Sequence, residues 1–247
     1  MKKTYEDNMI FGIRAIIETI NSGKEIDKLF MQKGLQNDLI KELGKLCHQL
    51  HIPISKVPVE KLNRFTRNNH QGAVAFTSAV HYASLSNVVS TAFESGRTPL
   101  FVILDKVTDV RNFGAIARTA ECAGINAIII PSRGSAAVNS DAMKTSAGAL
   151  NFIPVCREAN LKNTITYLKE SGIQVIACTE KTDNELYSAK FDIPTAILMG
   201  SEDEGISPEY LKMSDEKVRI PMSGNISSLN VSVAAGIVIY EAVRQRL

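Results

Sequence analysis

Val218-Arg-Ile-Pro-Met-Ser-Gly-Asn-Ile-Ser-Ser-Leu-Asn-Val-Ser-Val-Ala-Ala-Gly-Ile237 reads as a short apolar strand, a polar turn and the opening of a long apolar helix. The strand runs from Val218 to Pro221 and the helix continues to Arg246. Between them lie Ser223, Gly224, Asn225, Ser227, Ser228 and Asn230. A turn at a helix N-terminus offers unpaired N–H groups and hydroxyls to whatever lies beside it, so the segment reads as a binding loop. The same residue types also cap helices that bind nothing. The segments upstream decide between the two.

The strand-then-helix pattern repeats from residue 99 onward. Leu100 to Leu104, Ala127 to Ile130, Gln174 to Cys178 and Thr195 to Met199 are short apolar runs. Helical spacing covers Ile116 to Ala123, Ala142 to Leu150 and Leu161 to Glu170. Apolar strands without alternation, separated by helices, predict a parallel sheet covered on both faces. Ligands of such sheets gather at the carboxyl ends of the strands.

The first part of the chain reads differently. Ile10 to Ile20 and Leu35 to Leu50 have helical spacing, and Val59 to Thr66 is a basic helix candidate. Ile26 to Met31, Ile54 to Val57 and Gly72 to Val80 read as strands, which predicts a small α/β layer sandwich. The expected organisation is a first domain over 1–82, a linker region over the Ser/Asn/Gly-containing stretch 83–98, part of it open to a helical reading, and a second domain over 99–247.

The 247 residues are 45% hydrophobic and 22% charged, a composition that supports a real core. No apolar run approaches the ~20 residues that span a bilayer, and the start lacks a signal-peptide core. A cytoplasmic protein with no membrane partner is the expectation. Cys47, Cys122, Cys156 and Cys178 sit in apolar runs without a C-x-x-C pair, which predicts buried thiols and no metal site. Residues 1–82 carry a net charge of +4 and residues 83–247 one of −2. A basic module beside a near-neutral one fits nucleic acid, and equally a solvated surface.

Two more strand-end loops stand out: Asp105-Lys-Val-Thr-Asp-Val-Arg-Asn-Phe-Gly-Ala-Ile-Ala-Arg118 and Gly200-Ser-Glu-Asp-Glu-Gly-Ile-Ser-Pro-Glu209. The second has glycine spacing like a phosphate loop, but Ile206-Ser207 stands where Lys-Ser/Thr is needed, and three carboxylates would repel a triphosphate. No G-x-G-x-x-G follows a strand. The second domain has no histidine, which excludes a Ser-His-Asp triad within it.

Together the three loops resemble the signature segments of SpoU-type (TrmH-type) RNA ribose 2′-O-methyltransferases. The matching stretches are Asn112-Phe-Gly-Ala-Ile-Ala-Arg118, Gly200-Ser-Glu-Asp-Glu-Gly205, and Ile220-Pro-Met with Ser228-Leu-Asn-Val-Ser-Val233. Phe11-Gly-Ile-Arg-Ala15, His70-Gln-Gly-Ala-Val-Ala75 and Tyr240-Glu-Ala-Val-Arg-Gln-Arg246 are similar to the subgroup that methylates guanosine in bacterial 23S rRNA and carries a ribosomal-protein-like RNA-binding module. The resemblance implies an α/β fold whose C-terminal segment is threaded as a trefoil knot. It implies S-adenosylmethionine as cofactor, cradled by Gly200, Ile220 and Leu229 with Met199 and Thr179 nearby. It further implies a homodimer acting on large-subunit rRNA or a pre-ribosomal particle.

By the same resemblance Arg118, Asn112, Glu202, Ser228 and Asn230 form the catalytic set. Arg118 would hold the phosphate beside the target ribose and stabilise the forming alkoxide, since a guanidinium is a poor base. Asn112 would orient Arg118 or the ribose. Glu202, or alternatively Glu204, would fix the loops. Arg64, Arg67 and His70 form a polar basic stretch that reads as an RNA contact or as a solvated helix end. A tRNA substrate and a non-catalytic RNA-binding assembly factor remain as alternatives.

Overall fold

The computed structural model describes residues 8–226 and 228–247. The chain divides into two compact units, residues 1–81 with 137–141, and residues 82–136 with 142–247.

The first unit runs β1 (Met9–Phe11), α1 (Ile13–Asn21), β2 (Ile26–Gln32), α2 (Asp38–Gln49), β3 (Ile54–Val57), α3 (Val59–Phe65) and β4 (Ala73–Thr77). Its sheet has the order β1-β4-β2-β3, with only the β2–β3 pair parallel. The isoleucines of α1 at 13, 16, 17 and 20 are all buried, which is the apolar stripe expected of an amphipathic helix. They join Leu43 and Cys47 of α2 against Leu29, Met31, Ala73 and Ala75 of the sheet. On the opposite face Leu62 of α3 packs with Phe30, Val57, Val74 and Phe76. The result is the expected layer sandwich.

The second unit contains α4 (Leu85–Glu94), β5 (Leu100–Leu104), α5 (Val110–Cys122), β6 (Ala127–Pro131), the last four residues of α6 (Ser140–Thr145) and β7 (Val155–Glu158). It continues through α7 (Leu161–Glu170), β8 (Gln174–Cys178), β9 (Thr195–Met199), α8 (Pro208–Met213), β10 (Glu216–Val218) and α9 (Val231–Arg244). The six strands are all parallel, in the order β10-β8-β9-β5-β6-β7. Helices α4, α7 and α8 pack on the face presented by Phe101, Ile103, Ile129, Val175 and Leu198. The alternate residues Val102, Ile128, Ile176 and Ile197 are fully buried on the other face. There α5 and α9 pack on one another and α9 reaches β9.

Several expectations need correction. The stretch 83–98 is not a spacer. Leu85, Val89 and Ala92 of α4 bury into the core of the second unit, because their helical spacing outweighs the polar residues between them. Helix α5 begins six residues before Ile116 because Asp109 caps it, accepting from the Arg111 and Asn112 nitrogens at 2.8 Å. The expected helix 142–150 ends at Thr145, where Ala147 and Gly148 take left-handed backbone (φ 51° and 86°). Strand β10 precedes the expected Val218–Pro221, and α9 stops at Arg244. Strands β1 and β7 and helix α8 had no forecast. Cys122 is exposed and Cys178 only half-buried, whereas Cys47 and Cys156 are buried. Among the described residues no helix is long and apolar enough to cross a membrane.

Candidate active site

Three loops leave the carboxyl ends of β5, β9 and β10 and meet. The loops after β5 and β9 are fastened first: the buried Asp105 carboxylate accepts from Ser207 N at 2.7 Å. Lys106, in left-handed backbone at φ 56°, reaches Glu204 at 2.5 Å. Glu204 holds the ammonium above its usual pKa, and the ammonium holds the Glu204 carboxyl below its own, each chiefly through their hydrogen bond.

The third loop joins through Glu202. Its Oε1 accepts from Asn112 Nδ2 at 3.1 Å, from Val231 N at 3.1 Å and from Asn230 Nδ2. Asn230 Nδ2 also donates to Asn112 Oδ1 at 3.0 Å. Asn230 Oδ1 caps α9, accepting from Ser232 N at 2.9 Å. One carboxylate thus satisfies a helix-terminal N–H and two amides, the charge-assisted arrangement expected where a helix N-terminus meets an anion. Of the two candidate acids, Glu202 is the one that binds the amides and Glu204 the one that binds Lys106.

Beside this network lies a cavity of about 440 Å³. Its walls include Thr179 after β8, Met199 and Gly200 at the end of β9, Ile220 after β10, and Ser228 and Leu229 before α9. Glu202 stands on the same wall. Gly200 leaves no space for a side chain: a Cβ there would overlap the Gly205 carbonyl carbon and the Ile206 nitrogen. Only glycine here lets the turn at Gly205–Ile206 close back on the end of β9 and shape this wall. Cys178 also faces the cavity, with burial, and then Glu180, pushing its thiol up to about 12.

The structure gathers most of the residues singled out by sequence. Thr179, Met199, Gly200, Ile220, Leu229, Ser228 and Glu202 line the cavity, and Asn112 and Asn230 bind Glu202. Arg118 is not among the lining residues. It lies six residues beyond Asn112 on α5, exposed, and without a hydrogen-bond or ion-pair partner among the described residues. Ser227 lies outside the described residues. In the first unit Arg64 and Arg67 are exposed. His70 departs from expectation: it is 8% exposed, its Nε2 meets Asn63 Oδ1 at 2.9 Å and its Nδ1 accepts from Gly72 N at 3.0 Å. Both ring nitrogens are engaged in holding the turn before β4. Sequence reasoning missed Asp105 and Lys106 as loop ties, and Lys181 and Arg219 on the cavity wall. The signal for the first two was their position immediately after an apolar strand.

Residues 99–240 match the SpoU rRNA Methylase family, and residues 9–83 match the RNA 2′-O ribose methyltransferase substrate-binding family. The chain belongs to the SpoU family of RNA methyltransferases. A Bacillus subtilis protein, YacO, named for the TrmH family of tRNA/rRNA methyltransferases, is 34% identical over 98% of this chain and 97% of its own. An AdoMet-bound rRNA methyltransferase from Sinorhizobium meliloti superposes with a TM-score of 0.62 at 25% identity, over 97% of this chain and 88% of that one. The A. aeolicus TrmH/SpoU tRNA modifying enzyme superposes with a TM-score of 0.56 at 30% identity, over 66% of this chain and 84% of that one.

Proposed function

We propose that this enzyme transfers a methyl group to the 2′-hydroxyl of a guanosine ribose in 23S rRNA. The observation that carries the reading is the convergence of Asn112, Glu202 and Asn230 beside a cavity walled by Gly200. The first unit adds support, since the S. meliloti rRNA enzyme aligns with nearly the whole chain while the A. aeolicus tRNA enzyme aligns with two thirds of it. The guanosine rests on the sequence resemblance at 11–15, 70–75 and 240–246.

The cavity fits S-adenosylmethionine in two respects. Its volume lies in the range of small-molecule sites, about 300–1,000 Å³. Its lining combines apolar side chains with hydroxyl and backbone groups, the mixture expected of a site for a small polar ligand. Met199, Ile220 and Leu229 would supply apolar contact, and Thr179 a hydroxyl. When bound, S-adenosylmethionine supplies the activated methyl group.

The remaining work belongs to the chain. Glu202 fixes Asn112 and Asn230 in one orientation, so their amides are set before the ribose arrives. Ser228 borders the same space and would line the ribose pocket. Arg118 is exposed and has no hydrogen-bond or ion-pair partner among the described residues. It would bind the phosphate beside the target ribose and stabilise the negative charge developing on the 2′-oxygen. The proton leaves to that phosphate or to water. The C-terminal segment before α9 is proposed to be threaded through the loop after β9 as a knot. The α9 face bearing Val233 and Tyr240, each about half exposed, is proposed to close a homodimer. Arg64 and Arg67 are proposed to contact rRNA phosphates.

Transfer of a labelled methyl group to 23S rRNA and to bulk tRNA tests the reading directly. Label in rRNA alone is expected. Label in tRNA alone would move the substrate, and label in neither would leave a binding protein.

A further inference from the structure

The cavity takes its walls from the loops after β8, β9 and β10, one half of the sheet order β10-β8-β9-β5-β6-β7. The β5-β6-β7 half carries a different surface at the same carboxyl edge. Arg111 stands in the first turn of α5, Arg133 in the loop after β6 and Lys144 on α6, with Arg118 two turns further along α5. All four are exposed, and among the described residues none has a carboxylate within ion-pair distance. The other cations near the cavity differ: Lys106, Lys181 and Arg219 each have an acidic neighbour.

Two close approaches gather the four. Ala136 N donates to Val107 O at 2.8 Å, which folds the loop after β6 against the segment entering α5. Helix α6 rests directly on α5 at Gly114, where a Cβ would stand 2.7 Å from Thr145 Cβ and 3.1 Å from the Ala142 oxygen. Lys144 precedes Thr145, while Arg111 and Arg118 flank Gly114 on α5. One acid of the same unit borders the group: Asp109, which is engaged in capping α5. Cations grouped in this way create a positive field at the surface that draws a polyanion. Asn112, in the first turn of the same α5, is bonded to Glu202 on the cavity wall. The seam between the two halves of the edge therefore runs through Asn112.

Resting on the methyltransferase reading above, we infer that Arg111, Arg133 and Lys144 hold the sugar–phosphate backbone of the acceptor RNA. The acceptor strand crosses the β5-β6-β7 half of the second unit, the methyl donor occupies the β8-β9-β10 half, and the target ribose meets it at Asn112. These three side chains contact phosphates beyond the one assigned to Arg118, and they read no base.

The test is the salt dependence of binding to a 23S rRNA fragment by the full chain and by R111Q/R133Q/K144Q, with Arg118 intact. Each lost single-strand phosphate contact lowers the slope of log affinity against log salt by about 0.7, so the triple variant should lose about 2. The fall in affinity between ~50 and ~200 mM salt would then shrink roughly twentyfold. S-adenosylmethionine affinity, measured by calorimetry, should be retained and reports that the second unit is folded. Should the triple variant lose that affinity, the three single variants are measured instead, each expected to lose about 0.7. A control, R97Q/K190Q/K212Q, removes the same charge from exposed positions of the same unit and should keep the wild-type slope. A wild-type slope in the triple variant, or an equal loss in the control, overturns the inference and leaves the methyltransferase reading standing. Absence of donor and RNA binding in the wild-type chain would instead remove that reading.

Discussion

Asn230 donates a hydrogen bond to Asn112 at 3.0 Å although 118 residues separate them, and both amides close on the same oxygen of Glu202. The two asparagines belong to the N-terminal ends of α5 and α9, which pack on one another. Glu202 arrives from a third loop and completes the triangle.

Removing that carboxylate should disable the enzyme without unfolding it. In Glu202→Ala both amides lose their common acceptor and the α9 N-terminus loses the bond from Val231 N. Misplacing groups by about 1 Å can cost on the order of a hundredfold in rate, so a fall of ten- to a hundredfold in methyl transfer is expected. Rates with saturating RNA and donor measure it. Wild-type turnover would show that the triangle does not set the geometry.

Gly200→Ala tests the cavity wall. The added methyl would overlap the Gly205 and Ile206 backbone, which cannot step aside as a flexible side chain would. Donor affinity, read by calorimetry, should fall at least tenfold, at about 1.4 kcal/mol per factor of ten. Gly44→Ala on α2 is the opposite case, because nothing lies within 4 Å of its Cβ position. That variant should gain roughly 0.5–1 kcal/mol from helix propensity, seen as a raised Tm.

At the far end of α9, Arg246 donates to four backbone oxygens, those of Thr98, Pro99, Phe191 and Ile193, at 2.7–3.2 Å. Gln245 adds bonds to Phe191 N and Ala189 O. Arg246→Ala leaves these carbonyls without the guanidinium and should cost about 2 kcal/mol in urea unfolding. Arg246→Lys should recover only part of this, because an ammonium lacks the planar fork that spans several acceptors. Full recovery by lysine would mean that charge alone is needed.

Glu241 gives a pH prediction. Its carboxylate is buried on α9, and the Arg244 guanidinium holds its pKa below the usual value, helped by Gln245. A depressed folded pKa gives stability that is complete above the unfolded value of about 4.3 and disappears as pH falls through the folded value. The stability difference between wild type and Glu241→Gln should therefore be flat from about pH 6 upward and shrink on acidification below about pH 4. A difference that grows on acidification would contradict the assignment.

Much of the second unit could be read from the sequence because its strands are unbroken apolar runs. Gln174–Cys178 and Thr195–Met199 fall where their residues place them. The three loops were legible as a set, since each alone could be an ordinary helix cap and only their shared position after apolar strands singles them out. Choosing Glu202 over Glu204 was beyond sequence, because both acids sit in one loop and only three-dimensional partners separate them. The stretch 83–98 misled because its Ser and Asn residues suggest a linker, while the stripe of Leu85, Val89 and Ala92 buries α4. His70 misled for the reverse reason: its basic neighbours are exposed, whereas its own ring is needed by Gly72 N and Asn63. That Arg118 is absent from the cavity lining also could not be foreseen, since it depends on how α5 turns relative to loops that come much later in the chain.

A methyl group on a ribose oxygen differs chemically from one on a base. The most direct measurement incubates the protein with 23S rRNA and methyl-labelled S-adenosylmethionine, then digests the RNA with alkali. A 2′-O-methyl blocks cleavage at its own nucleotide, so the account predicts one labelled, alkali-resistant dinucleotide that begins with guanosine. Label released in alkali-sensitive mononucleotides would place the methyl on a base, and the account would be wrong.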